Sequence, residues 1–197
     1  MDCAARMAVT PFSAVLLAAG RSTRMGCDKA LLEFEGRPLW RRQWDLLAGA
    51  GAGERFLSVR AEQDWAPADV IKISDATPDT GPLAGIVAAL ERCSTPLLLV
   101  LAVDLPGMQA AYLRKLHERC GPARGVVPWR RGGRPEPLCA IYPREVLAEA
   151  RELLKHGHNA VTGLAATAGS LGLIRTIAIE AEDEPLFVNW NSPGDAG

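Results

Sequence analysis

Continuous apolar runs alternate with amphipathic stretches along this chain of 197 residues. Residues 13–19 and 96–103 are almost wholly apolar, which is typical of strands buried on both faces near the centre of a sheet. Residues 173–179 alternate apolar and polar positions, which predicts a half-exposed edge strand. Shorter apolar runs predict further strands at residues 55–59, 70–73, 125–127 and 138–142.

Stretches with helical periodicity separate these strands. Helices are expected at residues 38–49, 82–93, 109–120, 144–156 and 158–168. In the first of them Trp40, Trp44 and Leu47 recur at helical spacing, which predicts a core stripe rather than a base-stacking surface. Alternating strands and helices predict an α/β three-layer sandwich, a Rossmann-like, mostly parallel sheet with helices on both faces. Glycine-rich residues 49–53 and 132–137 are expected to be loops inside one domain.

Composition restricts the ligands. The chain is 48% hydrophobic and 23% charged, as in an ordinary globular protein, and its net charge is only −1. No global field would draw it to nucleic acid or an anionic membrane, so small phosphorylated ligands are favoured. No run approaches the roughly 20 apolar residues of a membrane span, and residues 1–10 do not resemble a secretory signal. The five scattered cysteines lack a CxxC pair, so we expect reduced thiols in a cytoplasmic protein.

The first candidate site follows the first strand. Ligands of open parallel sheets bind beyond the carboxyl ends of the strands. There, Ala18, Ala19 and Gly20 are small enough to let backbone amides approach a phosphate. Arg24 and Lys29 would supply positive charge against a triphosphate. The spacing is neither a Walker A loop nor GxGxxG, and a solvated turn is the alternative.

The second candidate site follows the other buried run. Asp104 leaves the core there just before Leu105 and Pro106, where one carboxylate suits Mg²⁺ together with waters and phosphate oxygens. The alternative for Asp104 is a cap on the following helix.

A third site is expected at a Gly-Pro helix start. Gly81 and Gly85 flank this start, where free amides could meet a base edge or a ribose. An ordinary helix start is the alternative.

Two later segments are candidates for the second substrate. One carries Arg130, Arg131 and Arg134, which could hold a second phosphate or could be solvated charges. In the other, the amides of Asn189 and Asn191 would point to one side of an extended segment.

In these motifs and their order, the chain resembles the molybdenum cofactor guanylyltransferases, whose fold is that of the nucleotide-diphospho-sugar transferases. The sharpest match is LLAAGRSTRMGCDKALL at residues 16–32. Others are GRPLW at 36–40, TGPLAGI at 80–86, VDLP at 103–106, EPLCAIY at 136–142 and FVNWNSP at 187–193.

The resemblance implies transfer of GMP from GTP to the terminal phosphate of molybdopterin, with Mg²⁺ as cofactor. It implies a nucleotide-binding half up to about residue 110 and an acceptor-binding half over 111–197. Arg24, Lys29 and Asp104 would be catalytic, and Asp104 would bind the metal. The implied substrate-binding residues are Leu17, Ala18, Ala19, Gly20, Asp28, Lys29, Asp75, Gly81, Pro82, Leu83, Gly85, Asp104, Asn189 and Asn191. Asp75 would contact the guanosine portion, and the two asparagines would lie near the pterin.

One departure keeps alternatives open. The guanylyltransferase pattern reads Leu-Ala-Gly-Gly where this chain has Leu17-Ala18-Ala19-Gly20, a form similar to the cytidylyltransferases and many sugar nucleotidyltransferases. CTP, or a sugar phosphate as acceptor, is therefore an alternative, and a non-catalytic adaptor is an alternative of another class. Expected partners are the nucleotide, molybdopterin and, transiently, cofactor-insertion proteins and molybdoenzymes, with neither nucleic acid nor membrane.

Overall fold

An eight-stranded mixed sheet forms the centre of the protein in a computed structural model, which describes residues 10–20, 28–74 and 81–190. The strands in chain order are β1 Phe12–Leu17, β2 Glu33–Phe34, β3 Arg37–Pro38, β4 Arg55–Ser58, β5 Lys72–Ile73, β6 Leu97–Ala102, β7 Gly125–Arg130, β8 Arg134–Pro135, β9 Cys139–Pro143 and β10 Ile174–Ala178. Of these, β2 and β3 form a separate hairpin.

The strand order along the sheet is β10-β7-β9-β6-β1-β4-β5, with β8 paired to β7. Neighbours are parallel at β1–β4, β1–β6, β4–β5 and β7–β10, whereas β9 lies antiparallel to β6 and β7. The two runs predicted to be central are β1 and β6, side by side in the middle of the sheet. The predicted edge strand is β10, so both expectations are confirmed.

Helices cover both faces of the sheet. They are α1 Leu39–Ala50, α2 Pro82–Arg92, α3 Ala110–Glu118, α4 Leu147–Lys155 and α5 Val161–Ser170. Alternate residues of β1 point to opposite faces: Leu16 belongs to the core cluster that includes α1 and α3, and Val15 belongs to the cluster that includes α2, α4 and α5. The two faces explain why the central strands are apolar throughout. The predicted three-layer sandwich is confirmed.

The tryptophan stripe of α1 lies in the core. Trp40 and Trp44 are each 7% exposed and Leu47 is fully buried. The guanidinium of Arg55 stacks 4.6 Å from the ring centre of Trp44. The stripe is therefore packing surface, as predicted, and is not available to a base.

The expected loop at residues 132–137 is wrong in part, because β8 lies there and pairs with β7. Gly132 and Gly133 turn the hairpin with φ of 99° and 92°, a conformation that favours glycine. A two-residue strand is too short to give a periodic signal, and the β2–β3 hairpin was missed for the same reason. The helix expected at 144–156 starts with a 3₁₀ turn, Arg144–Val146, before α4.

Within the described ranges, no helix has the length and apolar character that a membrane crossing requires. Cys93, Cys120 and Cys139 carry free thiols, as predicted for these three.

Candidate active site

A cleft of about 570 Å³ opens at the carboxyl ends of the parallel strands. Because β1 is parallel to both β4 and β6, the carboxyl ends of these three strands lie side by side. The chain continues to β4 on one side of β1 and reaches β6 on the other, which is where open α/β sheets bind ligands. Predicted site residues that line the cleft are Leu17, Ala18, Ala19, Gly20, Lys29, Gly81, Pro82 and Asp104.

Lys29 and Asp104 form an ion pair in the wall of this cleft. The ammonium Nζ of Lys29 lies 3.7 Å from Oδ2 of Asp104, and the two side chains are 21% and 25% exposed. Nζ also donates to the carbonyl of Trp190 at 2.8 Å, and the Trp190 amide donates to the Asp104 carbonyl at 3.0 Å. The strand ends and the segment at Trp190 thus position both groups.

Asp104 lines the cleft and does not cap the following helix. Helix α3 begins at Ala110 with Gln109 as its N-cap, so Asp104 does not cap it. Burial raises the pKa of the Asp104 carboxyl above its ordinary value, and the nearby Lys29 ammonium opposes that rise. A cation beside this carboxylate would favour its ionised form in the same way.

The donor set fits a cation that arrives with a phosphorylated ligand. Among the described residues, no group of three or more His, Cys, Asp or Glu side chains is arranged to hold a metal. Mg²⁺ needs no such group, since one or two carboxylates suffice with waters and substrate phosphate oxygens. Asp104 at the cleft wall satisfies that requirement.

Asp28 holds the backbone and does not line the cleft. Its Oδ1 accepts the amide of Ala30 at 3.0 Å, which caps the 3₁₀ turn Lys29–Leu31. Its Oδ2 accepts from Gln63 Nε2 at 2.5 Å and from Trp65 Nε1 at 3.0 Å. The structure therefore gives this carboxylate a positioning role.

The segment after β4 was missed by the sequence analysis. Arg60 lines the cleft and donates from Nη1 to the carbonyls of Ala19 and Gly20, at 2.7 and 2.8 Å. Gln63 donates to the carbonyl of Ala18 at 3.1 Å. The signal was available, because Arg60 follows a strand that ends at the same edge as β1.

Two predicted nucleotide contacts are not brought to the cleft. Leu83, in the first turn of α2, is fully buried in the core. Gly85 faces the sheet, where an added Cβ would lie 2.5 Å from Oγ of Ser58 and 3.0 Å from Cδ2 of Leu17. Both residues pack α2 against the sheet, which is why small and apolar residues occur there.

The predicted acceptor residues have different surroundings. Asn189 is exposed and precedes Trp190, whose backbone binds Lys29 and Asp104. Arg130 is bonded internally: its guanidinium contacts Glu136, Glu184 and the carbonyl of Phe187. Arg131 and Arg134 are exposed. Arg24, Asp75 and Asn191 lie outside the described residues.

Comparison with known proteins gives a match of the family model "MobA-like NTP transferase domain" over residues 14–168. A relative from Opitutus terrae, named probable molybdenum cofactor guanylyltransferase, is 37% identical over 183 residues. That alignment covers 91% of this chain and 90% of the relative.

Solved structures share the fold. Molybdopterin-guanine dinucleotide biosynthesis protein A from Archaeoglobus fulgidus superposes with a TM-score of 0.73 at 21% identity, covering 93% of this chain and 94% of that one. Rv0371c from Mycobacterium tuberculosis, in complex with manganese, superposes with a TM-score of 0.61 at 22% identity, covering 86% of this chain and 89% of that one.

Proposed function

This chain belongs to the MobA-like NTP transferase family, and from that premise we propose that it transfers GMP from GTP to the terminal phosphate of molybdopterin. An oxygen of that phosphate bonds to the α-phosphorus of GTP, and pyrophosphate leaves. The products are the guanine dinucleotide form of the cofactor and pyrophosphate. The relative's name supports GTP as the donor nucleotide.

The observation that carries the proposal is the placement of Lys29 and Asp104 in one cleft, 3.7 Å apart. Nucleotidyl transfer requires positioning and neutralisation of phosphate charge more than a protein nucleophile. A lysine and a carboxylate at adjoining strand ends supply the two charges that such a site needs.

Each side chain has a defined role in the proposal. Lys29 binds the β- and γ-phosphates, and Ala18 and Ala19 let the backbone approach the nucleotide. Asp104 would hold Mg²⁺, which when bound neutralises phosphate charge and orients the phosphate oxygens. Arg24 and Asp75 are proposed to add contacts to the triphosphate and guanosine.

The acceptor is proposed to bind in the half formed by residues 111–197. Asn189 and Asn191 flank Trp190, and the Trp190 backbone contacts both Lys29 and Asp104. An acceptor held by the two asparagines would therefore lie next to the proposed phosphate site. The nucleotide would occupy the half up to about residue 110.

Pyrophosphate release from GTP, Mg²⁺ and molybdopterin tests the proposal. Lys29→Ala and Asp104→Asn should each lower kcat/KM by roughly 10²- to 10³-fold, the usual effect of losing one preorganised electrostatic contact. Lys155→Ala and Asp69→Asn are matched controls at exposed positions away from the cleft and should keep full activity. Circular dichroism should show that all four variants remain folded.

Full turnover in both cleft variants would contradict the proposal. The same assay with CTP, ATP and a sugar phosphate tests the donor and the acceptor. Absence of pyrophosphate release under every condition would favour a non-catalytic adaptor.

A further inference from the structure

Residues 60–65, which follow β4, contact two described segments next to the proposed phosphate site. On one side they bind the carbonyls of residues 18–20, and on the other they bind Asp28. Ala18 and Asp28 are ten positions apart in the sequence, so contact with a third segment constrains their relative positions. We call residues 60–65 the clamp.

Arg60 forms the first contact of the clamp. Its guanidinium donates to two successive carbonyls, those of Ala19 and Gly20. These carbonyl oxygens carry partial negative charge next to the cleft that a polyanion is proposed to enter. Arg60 offsets that charge, and its own positive charge is shared with Glu62, whose Oε1 accepts from Nε at 2.8 Å on the same cleft wall.

Gln63 forms the second contact, and its side-chain amide makes three hydrogen bonds. It is 5% exposed. Its Oε1 accepts the backbone amide of Arg60 at 2.7 Å, and its Nε2 donates to the carbonyl of Ala18 and to the carboxylate of Asp28. An apolar side chain of similar size would leave buried polar groups unpaired, and a carboxylate would repel Asp28.

Asp28 connects the clamp to the turn that begins at Lys29. With one oxygen it accepts from Gln63 and Trp65, and with the other it caps the turn in which Lys29 is the first residue. Trp65 is in turn packed against Trp40 of the core, with ring centres 5.3 Å apart. The clamp therefore connects Asp28 to the core, in addition to the buried side chain of Ala30 next to Lys29.

We propose that the clamp positions Lys29 against the backbone of residues 18–20, and that Arg60 and Gln63 are positioning residues for the nucleotide phosphates. This inference rests on the proposed nucleotide site. The Gln63–Asp28 hydrogen bond is the central contact of the clamp, because the same side-chain amide also binds the carbonyl of Ala18.

Gln63→Glu tests the Gln63–Asp28 hydrogen bond, since it keeps the size of the side chain and replaces the donor nitrogen by an oxygen. We expect the KM for GTP to rise about tenfold, as expected for one lost charge-assisted hydrogen bond in a buried site. The KM for molybdopterin should stay unchanged. The double variant Gln63→Glu/Asp28→Asn restores a donor–acceptor pair between positions 28 and 63, but it turns a donor toward Trp65 Nε1 and leaves the carbonyl of Ala18 without one. It should therefore recover only part of the loss. Gln109→Glu, the same substitution at an exposed residue, should behave as the wild type.

A second readout does not depend on nucleotide. Amide hydrogen exchange at Ala30, whose N–H is bonded to Asp28, should become faster in Gln63→Glu and slower again in the double variant. Unchanged exchange, or a KM for GTP equal to that of the wild type, overturns the clamp. If the wild-type protein itself fails to turn over GTP, the proposed function fails, while exchange at Ala30 still decides the clamp.

Discussion

Single residues on the inner side of α2 determine how closely the helix approaches the sheet. Gly85 lies against Ser58 at the end of β4 and Leu17 at the end of β1. Both of these neighbours line the cleft. A glycine at this position therefore affects the cleft through the spacing of its walls, without contacting a ligand.

Gly85→Ala should lower the free energy of unfolding by about 1–3 kcal/mol, because its Cβ would overlap Oγ of Ser58. Gly163→Ala in α5 is the matched control, since an added Cβ there meets nothing within 4 Å. That control should raise stability by up to about 1 kcal/mol, the usual difference between alanine and glycine in a helix. Urea unfolding measures both. Equal stability of the two variants would contradict the packing role of Gly85.

At the scale of elements, the β7–β8 hairpin is tied to the 3₁₀ turn Glu184–Phe187 by Arg130. This turn leads into Val188 and Trp190, so the hairpin supports the segment that reaches Lys29 and Asp104. Arg131 and Arg134 on the same hairpin are exposed instead.

Arg130→Ala should therefore lower the free energy of unfolding by about 1–3 kcal/mol, the cost of leaving hydrogen-bond partners unsatisfied in a half-buried site. Arg131→Ala and Arg134→Ala should leave stability within about 0.5 kcal/mol of the wild type. Thermal unfolding compares the three. If either exposed arginine binds the acceptor phosphate, its removal will raise the KM for molybdopterin alone. Equal loss of stability in all three variants would contradict a structural role that is specific to Arg130.

Glu54 joins three elements at the amino ends of the parallel strands, on the side of the sheet away from the cleft. Its Oε2 accepts from the amide of Ser94 at 2.8 Å and from Oγ of Ser13 at 2.7 Å. These bonds, that of the Ser94 amide first, lower the pKa of the Glu54 carboxyl, whereas burial opposes them. The amino ends of β1 and β4 and the connection into β6 are held together there.

A lowered pKa in the folded state means that Glu54 stabilises the protein fully above the ordinary pKa that it has in the unfolded chain. The contribution is lost as the pH falls through the lower folded pKa. Glu54→Gln should cost about 1 kcal/mol at pH 7, and the difference from the wild type should shrink once the pH falls below the ordinary pKa of a glutamate. Urea unfolding from pH 7 to pH 3 measures this, with Glu118→Gln at the exposed end of α3 as control. A difference that is constant with pH would contradict the assignment.

At the scale of the whole molecule, binding in the central cleft should stabilise the entire fold, because its walls come from β1, β4, β6 and α2. A ligand at a hundred times its Kd adds about 2.7 kcal/mol, which for a chain of this size raises Tm by about 5–10 °C. GTP with Mg²⁺ should give this shift, CTP a smaller one, and Asp104→Asn should remove the Mg²⁺-dependent part. Equal shifts with GTP and CTP would contradict the guanine preference.

The sequence was most informative where local patterns repeat. The buried runs around Leu16 and Leu99 predicted β1 and β6 as central strands, and the rule that ligands bind beyond strand ends pointed to Lys29 and Asp104 as site residues. It was least informative for two-residue strands such as β8. It also assigned Leu83 to the ligand without indicating that its side chain is buried in the core, because a motif does not reveal which side of a helix faces the sheet.

The amino-acid sequence by itself determined the class of fold, the two central strands and the carboxylate of Asp104 just beyond β6. These depend on side-chain periodicity and on residues adjacent to a strand, which are local properties of the chain. Only the tertiary structure decided that Gln63 meets Asp28 across 35 positions and that Trp190 meets Lys29 across 161. Such contacts follow from the order of strands in the sheet, and that order is set by packing of the whole core.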